Sequence, residues 1–439
     1  MNSSLAEPVS AHAKRTLVGQ AGLISMLQPI LVSPGEPRIV AVSSVTAALE
    51  NVSPIRIPGN QGGAGFTYEE AAAGAVGETI ERYCAACYEW DALLYASAEE
   101  LGEPAIGMDR FALYSDEVYD DPRIPLVRWR PDMPIYWVEA RSLHSGERRY
   151  VPAALVYTPF RDDDPRRLPL IAVAVSTGQA CHRDRDTALL SGLCEAIERD
   201  AFMLTWMRRI PPQRIDFRAD SLLDGYFQRY FECRSLEFHV FDITLDLQIP
   251  TVLCVTAGFS ERGRFANVGC ATHPSERHAV LKAMKEACQG ASWARGLMET
   301  RADWRPEPDF HNINSFEDHV RLFCEPDMVP HMDFILKTER RRGPGTPRPE
   351  DDDVAAGLRL CLSELERNRL EAVVVDLTTP DVAELGFYVP KVMVPGLAHL
   401  TAVHMVPALA TPRYREVPRR LGFIGGVHDE FNPTPHPFP

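Results

Sequence analysis

Apolar and polar positions along this chain predict an α/β protein of mixed α+β character. Short apolar runs predict strands at 39–42, at 134–158 (two strands around a turn at residues 145–146), and at 170–175, 238–241, 251–255, 372–376 and 387–394. Longer segments with helical periodicity predict helices at 67–88, 186–207, 275–295 and 354–369. The order strand, small-residue turn, helix therefore recurs along the chain, which indicates repeated subdomains.

One acidic helical turn occurs twice in this pattern and a third time in altered form. Glu78 and Glu81 form the first copy, Glu195 and Glu198 the second, and Glu286 with Gln289 the third. Side chains three residues apart project from nearly the same side of a helix. If the three helices converge, these side chains gather in one place, and a ligand set of oxygens alone suits Mg²⁺.

A simpler explanation is that the acidic turns carry surface salt bridges. Glu78 with Arg82, and Glu195 with Arg199, have the i,i+4 spacing of such pairs, which contribute only about 0.3–0.5 kcal/mol each. A single copy would favour this explanation. Three copies in register, each flanked by apolar residues, favour a functional site.

Composition narrows the class of protein. The chain has 439 residues, 61 acidic against 46 basic side chains and a net charge of −15, which argues against nucleic acid or an anionic membrane as the main partner. The start is polar and shows no signal peptide, and no apolar stretch is long enough to span a membrane. The 10 Cys have irregular spacing, unlike a disulfide framework, so we predict a cytoplasmic protein.

Several smaller motifs leave alternatives open. The glycine-rich stretch 60–65 predicts a turn before the first helix that either is structural or receives phosphate on its N–H groups. His182 and His273 lie in the turns before the second and third helices, and each is either a solvated turn residue or part of one pocket. Arg183 is either exposed charge or a phosphate contact. Cys84 and Cys87 have metal-pair spacing, but no second pair follows, which favours a structural role.

Two proline-containing segments stand out near the end of the chain. Segment 337–353 combines charge runs with Pro and Gly, which predicts a mobile loop. In the tail, 432–439, every second residue is Pro, and alternating Pro favours a stiff, extended backbone. The tail is therefore either an ordinary loose terminus or a rigid arm that carries the terminal carboxylate into a site.

Taken together, these motifs resemble the YcaO domains, and within them the cyclodehydratases that form azoline rings. The resemblance rests on Gly62-Gly63-x-Gly65, on the three acidic turns with Arg82 and Arg199, on 376–381, on 394–397 and on the closing Pro-x-Pro-x-Pro. It covers about 50–439. It implies a YcaO-like ATP-binding fold, with residues 1–50 as an N-terminal extension and 51–439 as the catalytic domain.

The resemblance also implies roles for individual residues. Mg²⁺ ligands would be Glu78, Glu81, Glu195, Glu198 and Glu286. ATP would be contacted by the same residues and by Arg82, Arg199, Gln289 and Arg183. The catalytic base would be either His436 or the terminal carboxylate of Pro439. Many family members have Lys in the glycine-rich turn where this chain has Ala64, and the hypothesis is that Arg183 or Arg185 replaces that charge.

The activity implied is the ATP-dependent conversion of Cys, Ser or Thr in a ribosomally made precursor peptide to thiazoline or oxazoline. Only about fifty residues precede the domain, so we expect a ThiF-like or other leader-binding partner protein. A flavin-dependent azoline dehydrogenase and a homodimeric state are further expectations. The alternatives are peptide thioamidation, macroamidine formation, and a degenerate scaffold without catalysis; Ala64 and Gly74 favour the last, and the complete acidic set argues against it.

Overall fold

The computed structural model describes residues 17–19, 22–32, 34–47, 60–160, 166, 168–347, 353–423 and 430–439. It confirms the mixed α/β class. Much of the predicted N-terminal extension and the end of the predicted mobile loop lie outside these residues. None of the helices in the described ranges has the length and apolar composition needed to cross a membrane.

The strands, in chain order, are β1 (Ile24–Ile30), β2 (Val40–Thr46), β3 (Asn60–Gly65), β4 (Leu94–Ala96), β5 (Ile135–Ser142), β6 (Arg148–Pro152), β7 (Gln213–Ile215), β8 (Leu236–Asp242), β9 (Thr251–Ser260), β10 (Gly263–Thr272), β11 (Arg341–Arg342), β12 (Val373–Asp376) and β13 (Pro390–Met393). The α-helices are α1 (Tyr68–Ala86), α2 (Ala98–Leu101), α3 (Met108–Phe111), α4 (Asp116–Asp120), α5 (Ala153–Val156), α6 (Arg185–Met207), α7 (Ser221–Tyr226), α8 (Glu276–Thr300), α9 (Phe316–Leu322), α10 (Asp333–Leu336), α11 (Val354–Arg367), α12 (Pro380–Glu384) and α13 (Arg413–Arg420).

These strands form three sheets, and one acidic helix packs on each. The first sheet has the order β1-β2-β3 and carries α1; because β2 pairs with β3, the strands on both sides of residue 50 belong to one sheet. The second has the order β10-β9-β8-β7-β11 and carries α8. The third has the order β13-β12-β5-β4, with β6 beside β5, and contacts α6 through β13.

Side chains just before two of the acidic helices cap the helix starts. The Thr67 hydroxyl accepts a hydrogen bond from the Glu70 N–H at 3.2 Å, which caps α1 as the sequence predicts. Asp184 caps α6 by accepting from the Thr187 N–H at 2.8 Å. Most of α6 is buried, because α11, β13 and β10 contact it from different directions.

Three predictions of local structure differ from the fold. The glycine-rich stretch is strand β3, and it packs directly on α1. Residues 170–175 form no strand: the Val173 N–H donates to the Tyr114 hydroxyl and the Leu170 carbonyl accepts from the Val127 N–H, so no neighbouring strand pairs with them. The predicted mobile loop contains β11, which pairs in parallel with β7.

A buried ion network holds α13 against α6. The Arg413 guanidinium donates to both carboxylate oxygens of Asp200, at 2.8 and 2.6 Å, and to Asp246 at 2.9 and 2.8 Å. Asp200 also accepts from the Ala398 N–H at 2.8 Å. The network thereby fixes the loop after β13 relative to α6.

We expect Arg413→Leu to lower the free energy of unfolding by about 3–5 kcal/mol, because the buried Asp200 carboxylate would lose its cation and Asp246 would keep only Arg420. Urea unfolding followed by circular dichroism measures this change. Arg415→Leu, at an exposed position of the same helix, is the matched control and should have little effect. Equal stability of the two variants would contradict this role for the network.

Candidate active site

Backbone N–H groups hold three of the predicted carboxylates in place. The Gly62 N–H donates to Glu78 at 3.0 Å, the Gly178 N–H to Glu195 at 2.6 Å and the Thr272 N–H to Glu198 at 3.0 Å. Gly62 lies on β3 and Thr272 ends β10, while Gly178 lies in the turn before α6. The elements before the acidic helices therefore fix the direction of the acidic side chains.

Close packing of glycine against helix makes these contacts possible. A Cβ atom at Gly63 would lie 2.1 Å from the carbonyl oxygen of Ala71, and one at Gly269 would lie 2.4 Å from that of Ala283. A Cβ atom at Gly178 would lie 1.9 Å from the carbonyl oxygen of Val392. Any side chain at these positions would separate the elements and withdraw the N–H donors from the carboxylates.

Glu195 stands at the centre of the acidic set. Burial raises the pKa of Glu81 from 4.5 to about 8, the Arg82 guanidinium opposes that shift, and Glu195 and Glu78 add to it. Burial also raises the pKa of Glu286, with Lys282 opposing and Glu195 contributing. Since Glu195 acts on carboxylates from both other helices, the three acidic turns share one electrostatic site.

The third helix brings a cation that the sequence patterns did not indicate. Lys282 on α8 lies 3.5 Å from a carboxylate oxygen of Glu286. Burial raises the pKa of Glu198 to about 8, and the Lys282 ammonium opposes that shift. Nothing in the acidic repeat itself marks Lys282, although it lies one turn before Glu286 on the same helix.

Arg82, Arg199 and Gln289 also lie in this cluster. Arg82 pairs with Glu78 at 3.4 Å, and Arg199 pairs with Glu195 at 2.8 Å. A Cβ atom at Gly62 would lie 2.6 Å from Nε2 of Gln289, so α8 reaches across to β3. Both arginine pairs have the i,i+4 spacing of ordinary surface bridges, but they lie inside the acidic cluster.

Arg183 has a different position. Its guanidinium donates to the Leu385 carbonyl at 3.3 Å and lies over the Phe387 ring at 5.3 Å. It therefore packs against the segment before β13. His182 and His273 act in their turns, where Nδ1 of each accepts a backbone N–H, from Asp184 at 2.9 Å and from Ser275 at 3.0 Å.

The proline-containing tail is a buried arm along α6. The Thr434 carbonyl accepts from the Trp206 indole N–H at 2.9 Å, and the Phe438 ring packs on Phe202 with centroids 4.8 Å apart. The Arg199 guanidinium lies 5.9 Å from the centre of the Phe438 ring. The tail thus ends one residue beyond a ring that contacts the acidic cluster through Arg199.

Within that tail, His436 is fully engaged. Its Nδ1 accepts from the Phe438 N–H at 3.3 Å, so Nε2 carries the proton and donates to the Thr401 carbonyl at 2.9 Å. Its ring stacks on His319 at 3.9 Å, and burial lowers the pKa of His436 well below its ordinary value. An imidazole without a free nitrogen is poorly suited as a base, so this geometry favours Pro439 of the two candidates.

Sequence reasoning also missed Lys391. This β13 residue is 2 % exposed, and its Nζ donates to the Val175 carbonyl at 2.5 Å. Burial lowers the pKa of Lys391 to about 7; Glu195 opposes the shift, and Arg199 and Arg82 add to it. A lone Lys in an apolar strand carries no motif, so only the tertiary structure brings it near the acidic helices.

The acidic cluster fits divalent cations that are bound together with a phosphate ligand. Among the described residues, no three carboxylate, His or Cys groups converge to hold an ion by themselves. Mg²⁺ is usually bound by one or two carboxylates, water and substrate phosphates. Burial raises the pKa of Glu81 and of Glu198, so a cation bound among these carboxylates would favour their ionised form.

The raised pKa of Glu81 predicts a pH dependence of stability. The folded state holds a proton that the unfolded state releases above pH 4.5, so this contribution to stability is lost as pH rises through about 8. With EDTA present, the unfolding free energy of the wild type should fall more steeply from pH 5 to 8 than that of Glu81→Gln. Urea titrations across this range measure the slopes. Glu89→Gln, at an exposed position, is the control, and parallel profiles of wild type and Glu81→Gln would exclude the effect.

Comparisons with known proteins agree with this arrangement. The family described as YcaO cyclodehydratase, ATP- and Mg²⁺-binding, matches residues 62–398. An uncharacterised protein of Methanothermobacter thermautotrophicus is 27 % identical over 346 residues, covering 76 % of this chain and 80 % of that protein.

Solved structures share the fold at lower identity. A heterocyclase in complex with substrate and cofactor has 24 % identity and a TM-score of 0.76 over 97 % of this chain, which spans 56 % of that heterocyclase. The YcaO of Methanopyrus kandleri, bound with AMPPCP and Mg²⁺, has 18 % identity and a TM-score of 0.59, covering 88 % of this chain and 87 % of that protein. A chain of the Escherichia coli microcin synthetase McbBCD, with pro-MccB17 bound, has 15 % identity and a TM-score of 0.60, covering 94 % of this chain and 96 % of that chain. The match to 62–398 covers most of the sequence, and ATP and Mg²⁺ are the ligands of that family: the chain belongs to the YcaO family.

Proposed function

We propose that this chain is an ATP-dependent cyclodehydratase that forms azoline rings from Cys, Ser or Thr of a ribosomally synthesised precursor peptide. The observation that carries the proposal is the single acidic site formed by three separate helices, with Glu195 acting on the carboxylates of both other helices. The comparisons support the ATP-dependent class of enzyme, and the ring-forming reaction is our inference.

The reaction needs a way to remove an amide oxygen. A thiol or hydroxyl of the peptide adds to the preceding carbonyl carbon, and the tetrahedral oxygen that results is a poor leaving group. Bound Mg²⁺ and ATP supply a phosphoryl group that turns this oxygen into phosphate, and such transfers depend on positioning and charge neutralisation. The side chains of this protein hold and orient the reacting groups and neutralise their negative charge.

Each group of side chains has a proposed task. The proposed metal ligands are the five carboxylates of the acidic cluster: Glu78, Glu81, Glu195, Glu198 and Glu286. Arg82, Arg199 and Gln289 lie among them and contact nucleotide. Arg183 packs against 385–387 instead, so Lys282 is better placed than Arg183 to supply the charge that Ala64 lacks.

Proton removal from the attacking thiol or hydroxyl is assigned to the terminal carboxylate of Pro439. The tail is anchored along its length by Trp206 and Phe202. Because these contacts precede the last residue, they fix the position of the carboxylate with little help from Pro439 itself.

Partners follow from the same proposal. A precursor peptide is the substrate, and a ThiF-like or other leader-binding protein delivers it. A flavin-dependent dehydrogenase would oxidise the azolines, and the chain would act as a homodimer within that assembly. The solved McbBCD synthetase is a complex with pro-MccB17 bound, which supports the proposal of partner proteins and a bound precursor peptide.

The central test uses the chain with a precursor peptide and leader-binding protein encoded beside it. With Mg²⁺ and ATP, mass spectrometry should show loss of one water per ring, and ATP hydrolysis should rise with peptide. Glu195→Gln should lower ring formation by about 10²–10³-fold, because one preorganised charge at the transferred group is lost. Glu89→Gln is the matched control. Peptide-independent ATP hydrolysis without any mass loss would contradict ring formation.

The role of the tail can be tested by removing one charge. A semisynthetic chain that ends in the amide of Pro439 keeps every buried tail contact and lacks only the carboxylate. We expect ring formation to fall by about 10²-fold or more, the usual contribution of a positioned base, with unchanged urea unfolding. A ligated chain that ends in the natural carboxylate is the control. Full activity of the amide would remove Pro439 from the mechanism and favour His436.

A further inference from the structure

A largely apolar cavity lies beside the acidic cluster. Its apolar wall includes Leu113, Tyr114, Leu155, Val173, Val175 and Leu397. Mostly apolar walls with a few polar groups are typical of sites for small ligands.

Two polar groups in the wall of this cavity are incompletely satisfied. Lys391 donates one hydrogen bond, to Val175, and no other partner of its Nζ lies within the described residues, although an ammonium has three N–H donors. The buried Nε2 of His399 has no hydrogen-bond partner among the described residues. Both groups belong to the wall of the same cavity, so a ligand bound there would complete their hydrogen bonds.

The cavity wall includes residues that contact both proposed parts of the active site. It contains Thr177, whose hydroxyl accepts from Arg199 at 2.7 Å, and Arg199 pairs with Glu195. It also contains Thr401, whose carbonyl accepts from His436 of the tail. A group bound in the cavity therefore lies near residues that contact the acidic cluster and the C-terminal arm.

We propose that this cavity is the subsite for the residue that precedes the cyclised Cys, Ser or Thr. The apolar side chain of that residue fills the cavity, and its carbonyl oxygen accepts a hydrogen bond from the Lys391 ammonium. The inference rests on the proposed function. It adds a preference for an apolar residue at that peptide position and makes Lys391 a catalytic residue.

The chemistry explains why the apolar cavity and the Lys391 ammonium bind parts of the same peptide residue. The carbonyl that is attacked is part of the preceding residue, so its oxygen and its side chain are separated by only two carbon atoms. As the new S–C or O–C bond forms, the π electrons of the carbonyl move to its oxygen and the thiol or hydroxyl proton goes to the base. That oxygen accepts the γ-phosphoryl group of ATP, and ADP is released. Loss of phosphate breaks the C–O bond, and loss of the amide proton completes the C=N bond.

Lys391→Met tests the ammonium. Methionine has similar length without the charge, and the site is apolar, so the variant should be at least as stable as the wild type in urea. Ring formation should fall about 10²–10³-fold, the usual loss when one donor to a developing oxyanion is removed, with ATP affinity changed less than about threefold. Lys337→Met, which removes an exposed Lys paired with Asp333, is the control.

Peptide binding tests the cavity independently of chemistry. The probes are synthetic acetyl-Gly-Xaa-Ser-Gly-amides with Gly, Ala or Leu as Xaa, measured by calorimetry with Mg²⁺ and a non-hydrolysable ATP analogue. Leu should bind about 10-fold or more tightly than Gly, as expected for filling an apolar pocket. Ala408→Leu, which places a larger side chain in the cavity wall, should abolish that preference. Ala92→Leu, at an exposed position, should retain it.

The outcomes distinguish failure of the proposed subsite from failure of the proposed ring-forming reaction. Equal binding of the Gly and Leu probes by the wild type, or an unchanged preference in Ala408→Leu, would overturn the subsite even if rings form. Normal ring formation by Lys391→Met would overturn the role of the ammonium. If the wild type forms no rings while the preference for Leu and its loss in Ala408→Leu are seen, the proposed reaction fails and the peptide subsite stands.

Discussion

The site depends on close contact between glycine backbone and helices rich in small residues. Gly63 against Ala71 and Gly269 against Ala283 leave no room for a side chain between sheet and helix. Bare backbone at this separation brings N–H groups close to the acidic side chains, and the Gly62 N–H donates to Glu78. Without the close approach, the carboxylates would lose their donors and their common centre.

This packing has an electrostatic consequence. Burial raises the pKa of Glu81 and that of Glu198 to about 8, and repulsion from neighbouring carboxylates, Glu195 among them, adds to both shifts. Lys282 and Arg199 offset part of that charge. The protein therefore holds an arrangement that its own cations do not neutralise, which suits a site that binds metal ions together with a triphosphate.

The second structural element of the site is the C-terminal arm. Chain ends are usually loose, yet this one is buried along α6 and fixed by His319, whose Nδ1 lies 2.7 Å from the His436 carbonyl oxygen. Pro at alternate positions removes backbone donors that burial would otherwise leave unpaired. The buried ion network of Arg413 supports the neighbouring loop through Asp200 and Ala398. The loop after β13 in turn lines the cavity beside the acidic cluster through Leu397 and Ala398.

The sequence by itself determined the three acidic helices and most strands, because helical spacing and alternation of apolar residues are local properties. It also indicated the metal-ligand chemistry, since oxygen ligands at i and i+3 have a fixed geometry on a helix. Only the tertiary structure decided that the glycine-rich stretch is a strand, that Arg183 faces 385–387, and that Lys282 and Lys391 lie near Glu195. These positions depend on contacts between residues far apart in the chain, which no local pattern encodes.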